Sequence, residues 1–334
     1  FEPFVSAGGL EVQDFVTSVG VARDGTVWTG TLGGGLYGLR SGRGIRFTTA
    51  NGLADDSVLA VCVDAEGNVW ASTSAGTVHC FTKTNALRFD RTQGLPGTAV
   101  TVLTPAVAGG LWLGTEDGTI LREEKRKFTV VQAGEKVGRR PVLALHESEE
   151  DQLWIGTPGG LACWSRGTSA SWNMTNGLPS DFIAGIVTDT AKNLWLVTGA
   201  GIYRGVHATI QRCLADPQAP FVSKLMSDAK TAAETATVIG GVRALLSSEG
   251  RLWFATTEGV LNVDTRRPEI ESAPLPLYIE QVAFNGEPPV SVLRNVTWAT
   301  AVTNQAAPTI LSDSRSLDIY FTALSFTAPE KTRF

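Results

Sequence analysis

Short apolar runs separated by polar, glycine-rich turns recur along most of this 334-residue chain. Runs such as Val58 to Val63, Ala99 to Leu103, Val142 to Leu145 and Ile183 to Val187 alternate or are wholly apolar, and they are too short for helices. Each precedes a turn and a second apolar run that carries a tryptophan: Trp28, Trp70, Trp112, Trp154, Trp195 and Trp253. A threonine stands three residues after every one of them (Thr31, Thr73, Thr115, Thr157, Thr198, Thr256). A turn glycine follows (Gly35, Gly76, Gly118, Gly160, Gly201, Gly259), suited to a tight strand-to-strand connection because it accepts positive φ. A further run with a large side chain closes the unit, at Phe47, Phe89, Phe128 and Trp172. The pattern predicts four short antiparallel strands per unit.

The tryptophans are spaced 42, 42, 42, 41 and 58 residues apart. A fixed period near 42 with four strands per period predicts blades of a β-propeller. The Gly-His and Trp-Asp pairs of WD40 repeats are absent, and kelch repeats are longer. One tryptophan per blade, sandwiched against its neighbour, removes roughly 150 to 250 Å² from water, about 4 to 6 kcal/mol gross. The six tryptophans are therefore expected to be structural.

The ends of the repeat array define the ring. Phe4 precedes Gly8-Gly9-Leu10 as Phe47 precedes Asn51-Gly52-Leu53, so Phe1 to Ala7 is expected to be an outermost strand. The sixth repeat supplies three strands up to about Asp264 and then meets Arg266-Arg267-Pro268. An N-terminal strand completing the last blade would hide two sheet edges. Six repeats are visible, and a ring of six or of seven remains open. The 58-residue gap holds an insertion, roughly Leu214 to Val238, with a helix-compatible segment at Ser227 to Thr237, placed where a blade-to-blade loop should be. Long loops in compact repeats are often functional; bridging an imperfect last blade is the plainer alternative.

The copies Asn176 to Asp181 (NGLPSD), Asn51 to Leu53, Gln93 to Pro96 and Asp151 to Leu161 (DQLWIGTPGGL) resemble the two-component regulator propeller repeat, whose pattern runs NGLPS, a strand, an acidic residue, GNLWIGT and GGL. After Pro268, Leu275 to Gly286 and Leu317 to Phe334 resemble the start of the three-tyrosine domain that follows such propellers. The resemblance implies an all-β chain: a propeller over residues 1–268, then a partial immunoglobulin-like β-sandwich over 269–334. It also implies the sensor region of a hybrid histidine kinase or diguanylate cyclase receptor, extracytoplasmic or periplasmic, dimeric in the full receptor. Such a receptor takes an unknown small-molecule or oligosaccharide signal and relays it through the sandwich. The membrane anchor would lie outside this chain, and the missing initiator Met fits a trimmed or partial chain.

Composition narrows the alternatives. The net charge is −5 with both signs dispersed, unlike a nucleic-acid-binding surface. No apolar stretch approaches 18 residues. Cys62, Cys80, Cys163 and Cys213 have no zinc-site spacing and read as small buried hydrophobes. No cofactor, phosphate-loop or metal motif is present. The glycine-rich Leu32 to Leu36 belongs to the repeat's own turn, and Glu147 to Asp151 is better read as a solvated hairpin than as a calcium site. His79, His146 and His207 are far apart in repeat register, which disfavours the alternative of a propeller lyase or hydrolase. A protein-interaction scaffold is the third reading. Ligand-binding candidates are the variable polar residues of the loops that join blade to blade and second strand to third: Asp55, Asp56, Glu116, Asp117, Arg139, Arg140 and Asp181.

Overall fold

The computed structural model describes residues 14–40, 43–131, 138–165, 167–216, 218–227, 243–256 and 259–265, and the backbone of three later strands. The first part is a six-bladed propeller. Blade one comprises β1 (Phe15–Val21), β2 (Val27–Leu32), β3 (Gly35–Arg40) and β4 (Arg43–Phe47). Blade two has β5 (Val58–Val63), β6 (Val69–Thr73), β7 (Val78–Phe81) and β8 (Ala86–Phe89). Blade three has β9 (Val100–Pro105), β10 (Leu111–Thr115), β11 (Ile120–Glu124) and β12 (Lys127–Val131). Blade four has β13 (Ala144–Glu147), β14 (Leu153–Thr157), β15 (Gly160–Ser165) and β16 (Thr168–Trp172). Blade five has β17 (Ile183–Thr188), β18 (Leu194–Thr198), β19 (Gly201–Gly205), the helix α1 (His207–Ala215) and β20 (Lys224–Ser227). Blade six shows β21 (Ala244–Leu246), β22 (Arg251–Thr256) and β23 (Gly259–Asp264). The strand expected at Phe1 to Ala7 lies outside the described residues. Every propeller sheet is an antiparallel meander in chain order, and successive first strands touch one another around the ring, from β1 to β5 through to β21.

The repeat residues each have a mechanical reason. Trp70, Trp112, Trp154 and Trp195 are buried between blades, whereas Trp28 and Trp253, in the first and last described blades, are half-buried. Trp28 stacks on Phe47 of its own blade at 6.3 Å, and aromatic contacts also link successive blades, Trp28 with Phe81 at 6.4 Å and Phe89 with Phe128 edge-on at 5.2 Å. Threonine at plus three is fully buried in the first five blades. Its hydroxyl pins the following hairpin by donating to a carbonyl across it, Thr31 to Gly35 at 2.9 Å, Thr157 to Gly160 at 3.2 Å and Thr198 to Gly201 at 2.9 Å. Glycine between tryptophan and threonine answers to the next blade. A Cβ on Gly114 would sit 2.5 Å from Val142 Cγ1, and one on Gly156 would sit 2.7 Å from the Ile183 carbonyl oxygen.

The acidic residue of the repeat is a hub. Asp189 accepts the backbone N–H groups of Ala191 and Asn193, the Asn193 side-chain amide and the Trp195 indole N–H, all at 2.8 to 3.0 Å. Asp64 makes the same set with Glu66, Asn68 and Trp70. In blade three the equivalent residue is Ala106, and the buried Trp112 indole N–H has no protein partner. The Asn-Gly-Leu segments form single 3-10 turns: Asn51, Gln93 and Asn176 reach back to the backbone N–H of Thr48, Asp90 and Asn173 at 2.6 to 2.8 Å. The glycine that ends each turn has positive φ (126°, 101° and 104°), and the leucine after it is buried.

The four cysteines are free and buried. Cys62 and Cys80 stand on either side of Trp70 in strand register, and burial pushes the Cys80 and Cys163 thiols up to about 12. A helix the sequence pattern did not mark, α1, joins the third and fourth strands of blade five, and the helix-compatible segment Ser227 to Thr237 lies almost wholly outside the described residues. Residues 228–242 lie outside the described residues. Ile210 and Cys213 of α1 pack with Trp154, Trp172 and Phe221, a side whose apolar residues interrupt an otherwise polar segment.

Contacts divide the chain into two units, Phe1–Arg267 and Pro268–Phe334. The second contributes β24 (Leu277–Phe284), β25 (Val290–Val296) and β26 (Leu317–Ala323), an antiparallel sheet in the order β25-β24-β26. The remaining residues on which an immunoglobulin-like reading depends lie outside the described ones.

Candidate functional site

The first strands of the blades wall a central cavity of about 520 Å³. Its sides are aliphatic, from Val61, Leu103, Leu145, Ile186 and Leu246. Its polar mouth is built from the loops that join first to second strand in blades four and five, together with the start of α1. There Glu150 is the centre of a cluster. Its carboxylate pairs with Lys192 at 2.8 Å, accepts from Gln211 Nε2 at 2.7 Å and lies 3.8 Å from His207 Nε2. The hydrogen bond from Lys192 holds the Glu150 carboxyl below its usual range, and Glu150 in turn raises the Lys192 ammonium. Asp151 and Lys192 both adopt left-handed backbone, φ 56° and 62°, which turns these loops sharply. Asn193 Oδ1 accepts the His207 backbone N–H at 3.1 Å and fixes the start of the helix, whose N-cap position, Val206, offers no side-chain acceptor.

His146 sits deeper, with Nε2 2.8 Å from Thr188 Oγ1 of the next blade. Burial pushes the imidazole down to about 4, so it is neutral at pH 7. Glu147 accepts the Val107 N–H at 2.6 Å and ties blade four to blade three. His146 and His207, far apart in repeat register, thus line one cavity, while His79 accepts the Ala54 N–H at 3.2 Å elsewhere. Among the described residues no group of three or more His, Cys, Asp or Glu side chains is arranged to hold a metal ion.

None of the seven loop residues expected from the sequence lines this cavity. They occupy the loops at the other end of the blades, where each first strand begins rather than ends. Four of them hold those loops together. Asp55 accepts from Ser57 N–H and Ser74 Oγ at 2.6 and 2.8 Å, Asp56 from Thr49 N–H at 2.6 Å, Asp181 from Met174 N–H at 2.7 Å, and Asp117 from Thr115 Oγ1 at 2.5 Å. Arg140 donates to the Pro158 carbonyl at 3.3 Å, and Glu116 and Arg139 are exposed. The hairpin of Glu116 and Asp117 lies beside the segment of Arg139 and Arg140, since a Cβ on Gly118 would meet the Arg140 carbonyl oxygen at 2.9 Å.

Comparison with known proteins follows the same geometry. Residues 52–75 match the profile described as Two component regulator propeller. No curated protein matches the sequence. The fold is similar to the extracellular domain of the putative hybrid two component system BT3049 from B. thetaiotaomicron, with TM-score 0.50, 17% identity, and coverage of 94% of this chain and 47% of that one. The extracellular domain of BT4673 from the same organism gives TM-score 0.57 and 15% identity, over 83% of this chain and 37% of that one. Virginiamycin B lyase from Staphylococcus aureus gives TM-score 0.56 and 13% identity, over 76% and 85%. The chain therefore spans less than half the length of the two-component domains it matches. At these identities the likeness is one of fold. No helix among the described residues is long and apolar enough to cross a membrane.

Proposed function

We propose that this chain is the extracytoplasmic ligand-sensing region of a signal-transduction receptor, and that its signal binds at the cavity mouth formed by blades four and five. The observation that carries the reading is the Glu150 cluster. One carboxylate joins the blade-four loop to the blade-five loop through Lys192 and to α1 through Gln211. A ligand that engages Glu150 or Lys192 competes with this clasp, so occupancy changes how two blades and a helix are held. The aliphatic wall suits a small amphipathic molecule with its apolar part inside and a polar or charged group at the mouth. In a dimeric receptor such a change would bias the arrangement of propellers and be relayed through the second unit to an output domain.

The test is thermal stability against a panel of metabolites and oligosaccharides. A ligand at a hundred times its Kd stabilises by about 2.7 kcal/mol, about 5 to 10 °C for a unit of this size. A flat panel, together with no self-association, would sink the sensor reading. A second reading has one observation in its favour: His146 and His207 line the same cavity as Glu150, a set compatible with acid–base chemistry. Turnover of a stabilising compound, lost in His146→Gln, would move the assignment to a propeller enzyme.

A further inference from the structure

One level of the central cavity is built from equivalent positions, a single residue from each blade. Ser18, Ala60, Val102, Ala144 and Gly185 each pair with the residue two after their blade's tryptophan. In blade six that place belongs to Arg243, whose carbonyl accepts the Ala255 N–H at 3.1 Å just before β21 begins. All six residues line the cavity. The first five are small or aliphatic and carry no charge. The Ser18 hydroxyl is already tied to the Val61 backbone, accepting its N–H at 3.0 Å and donating to its carbonyl at 3.2 Å. Among the described residues Arg243 is therefore the one ionisable side chain at this level. The other ionisable residues of the lining sit at the mouth end of the first strands, in the loops beyond them or on α1.

We infer that Arg243 binds a carboxylate inside the central cavity, so that the molecule this cavity takes is an aliphatic acid with its charged group held within. This rests on the reading that the signal binds in this cavity, and it adds an inner polar contact separate from the Glu150 cluster at the mouth. Strand register sets the two contacts apart. His146 pairs with Trp154 and Leu245 with Trp253, so Arg243 starts two residues below the level of His146, about 7 Å along the strand. The neighbouring blade leaves room for the arginine: Gly185 stands beside it, and a Cβ there would lie 3.3 Å from Arg243 Cβ. The guanidinium is a planar fork of N–H donors, which matches a carboxylate through two parallel hydrogen bonds. Leu145 and Ile186, one residue nearer the mouth in register, give the cavity an aliphatic wall there. A charge pair is stronger in such surroundings than in water. Burial pushes the guanidinium below its usual value, and a bound anion opposes that shift. An aliphatic lining with few, separated charged groups suits an acid with an apolar body.

The experiment titrates octanoate and octanamide, alike in shape and different in charge at pH 7, into this chain by calorimetry. Octanoate has no second polar end, so it probes the inner contact alone. In the unmodified chain the acid binds about tenfold or more tightly than the amide. Arg243→Gln brings the acid down to the level of the amide and leaves the amide unchanged. Arg243→Lys keeps the charge without the fork, and its preference for the acid lies between the two. Glu150→Gln/Lys192→Met leaves the ratio of acid to amide within about twofold, as expected of a separate contact. Equal affinity for acid and amide in the unmodified chain, or no binding of either, overturns the inference. So does a preference that survives intact in Arg243→Gln or, where that variant does not fold, in Arg243→Lys, because the arginine then serves only the packing of blade six on blade five. The two contacts fail separately. If acid and amide bind equally while Glu150→Gln/Lys192→Met still weakens a stabilising metabolite, the inner site falls and the mouth stands; the converse pattern removes the mouth alone.

Discussion

Replacing Asp189 with alanine tests how the repeat motif holds a blade. The carboxylate is 6% exposed and accepts four hydrogen bonds, one of them from the indole of the buried Trp195. Each such bond contributes about 0.5 to 1.5 kcal/mol net. Water replaces the acceptor for the two turn N–H groups, which are only part-buried, but not for the indole, which is left unsatisfied at a cost of about 1 to 3 kcal/mol. The expected loss is therefore about 3 kcal/mol, or about 6 to 12 °C in melting midpoint. Scanning calorimetry of Asp189→Ala, Trp195→Phe and the double variant separates the parts, because the indole bond appears as a coupling of about 1 kcal/mol or more. A loss below about 1 °C, or no coupling, would refute the hub and leave Trp195 held by packing alone.

Other expectations follow from the same contacts. Gly114→Val drives a side chain into Val142, whose Cγ1 lies 2.5 Å from the Cβ position, and should cost about 3 kcal/mol or prevent folding, as read by soluble yield and melting. Thr157→Val removes the hydroxyl that donates to Gly160 and accepts from Gly159; a loss of about 1 to 2 kcal/mol in urea denaturation is expected. His79 and His146 are both held down to about 4 by burial, with Arg88 adding to the effect at His79. Between that value and the ordinary 6.5 the unfolded chain binds more protons, so stability is full above about pH 6.5 and falls toward pH 4, by on the order of 2 kcal/mol per histidine. Denaturation midpoints at pH 7 and pH 5 should show this slope, and His146→Gln should remove about half of it.

The blades were legible because each repeated residue answers a local demand. Thr157 closes its own hairpin, and Asn176 and Gly177 make their own turn. The mouth was not, because its members are separated by the repeat itself. Glu150 meets Lys192, and His146 meets Thr188, across 42 residues, one blade period. Adding the period to any polar residue near the end of a first strand would have paired them; repeat register set His146 and His207 apart because one ends a first strand and the other begins α1, which returns to the same cavity. Helix α1 was missed because its polar face hides the two core residues Ile210 and Cys213. The loop carboxylates also have a structural role that their variation between repeats does not reveal. Asp56 and Asp181 vary less freely than their neighbours suggest, since each secures the turn seven residues before it.

The central claim is that the signal meets this protein at the Glu150 cluster rather than at the opposite loops. Calorimetric titration of a stabilising compound decides it, comparing the unmodified chain with Glu150→Gln/Lys192→Met and with Arg139→Ala/Arg140→Ala. The account predicts that affinity falls at least tenfold in the first pair, about 1.4 kcal/mol, and stays within twofold in the second. Loss of binding in the arginine pair, with the Glu150 pair unaffected, would contradict it and move the site to the other end of the propeller.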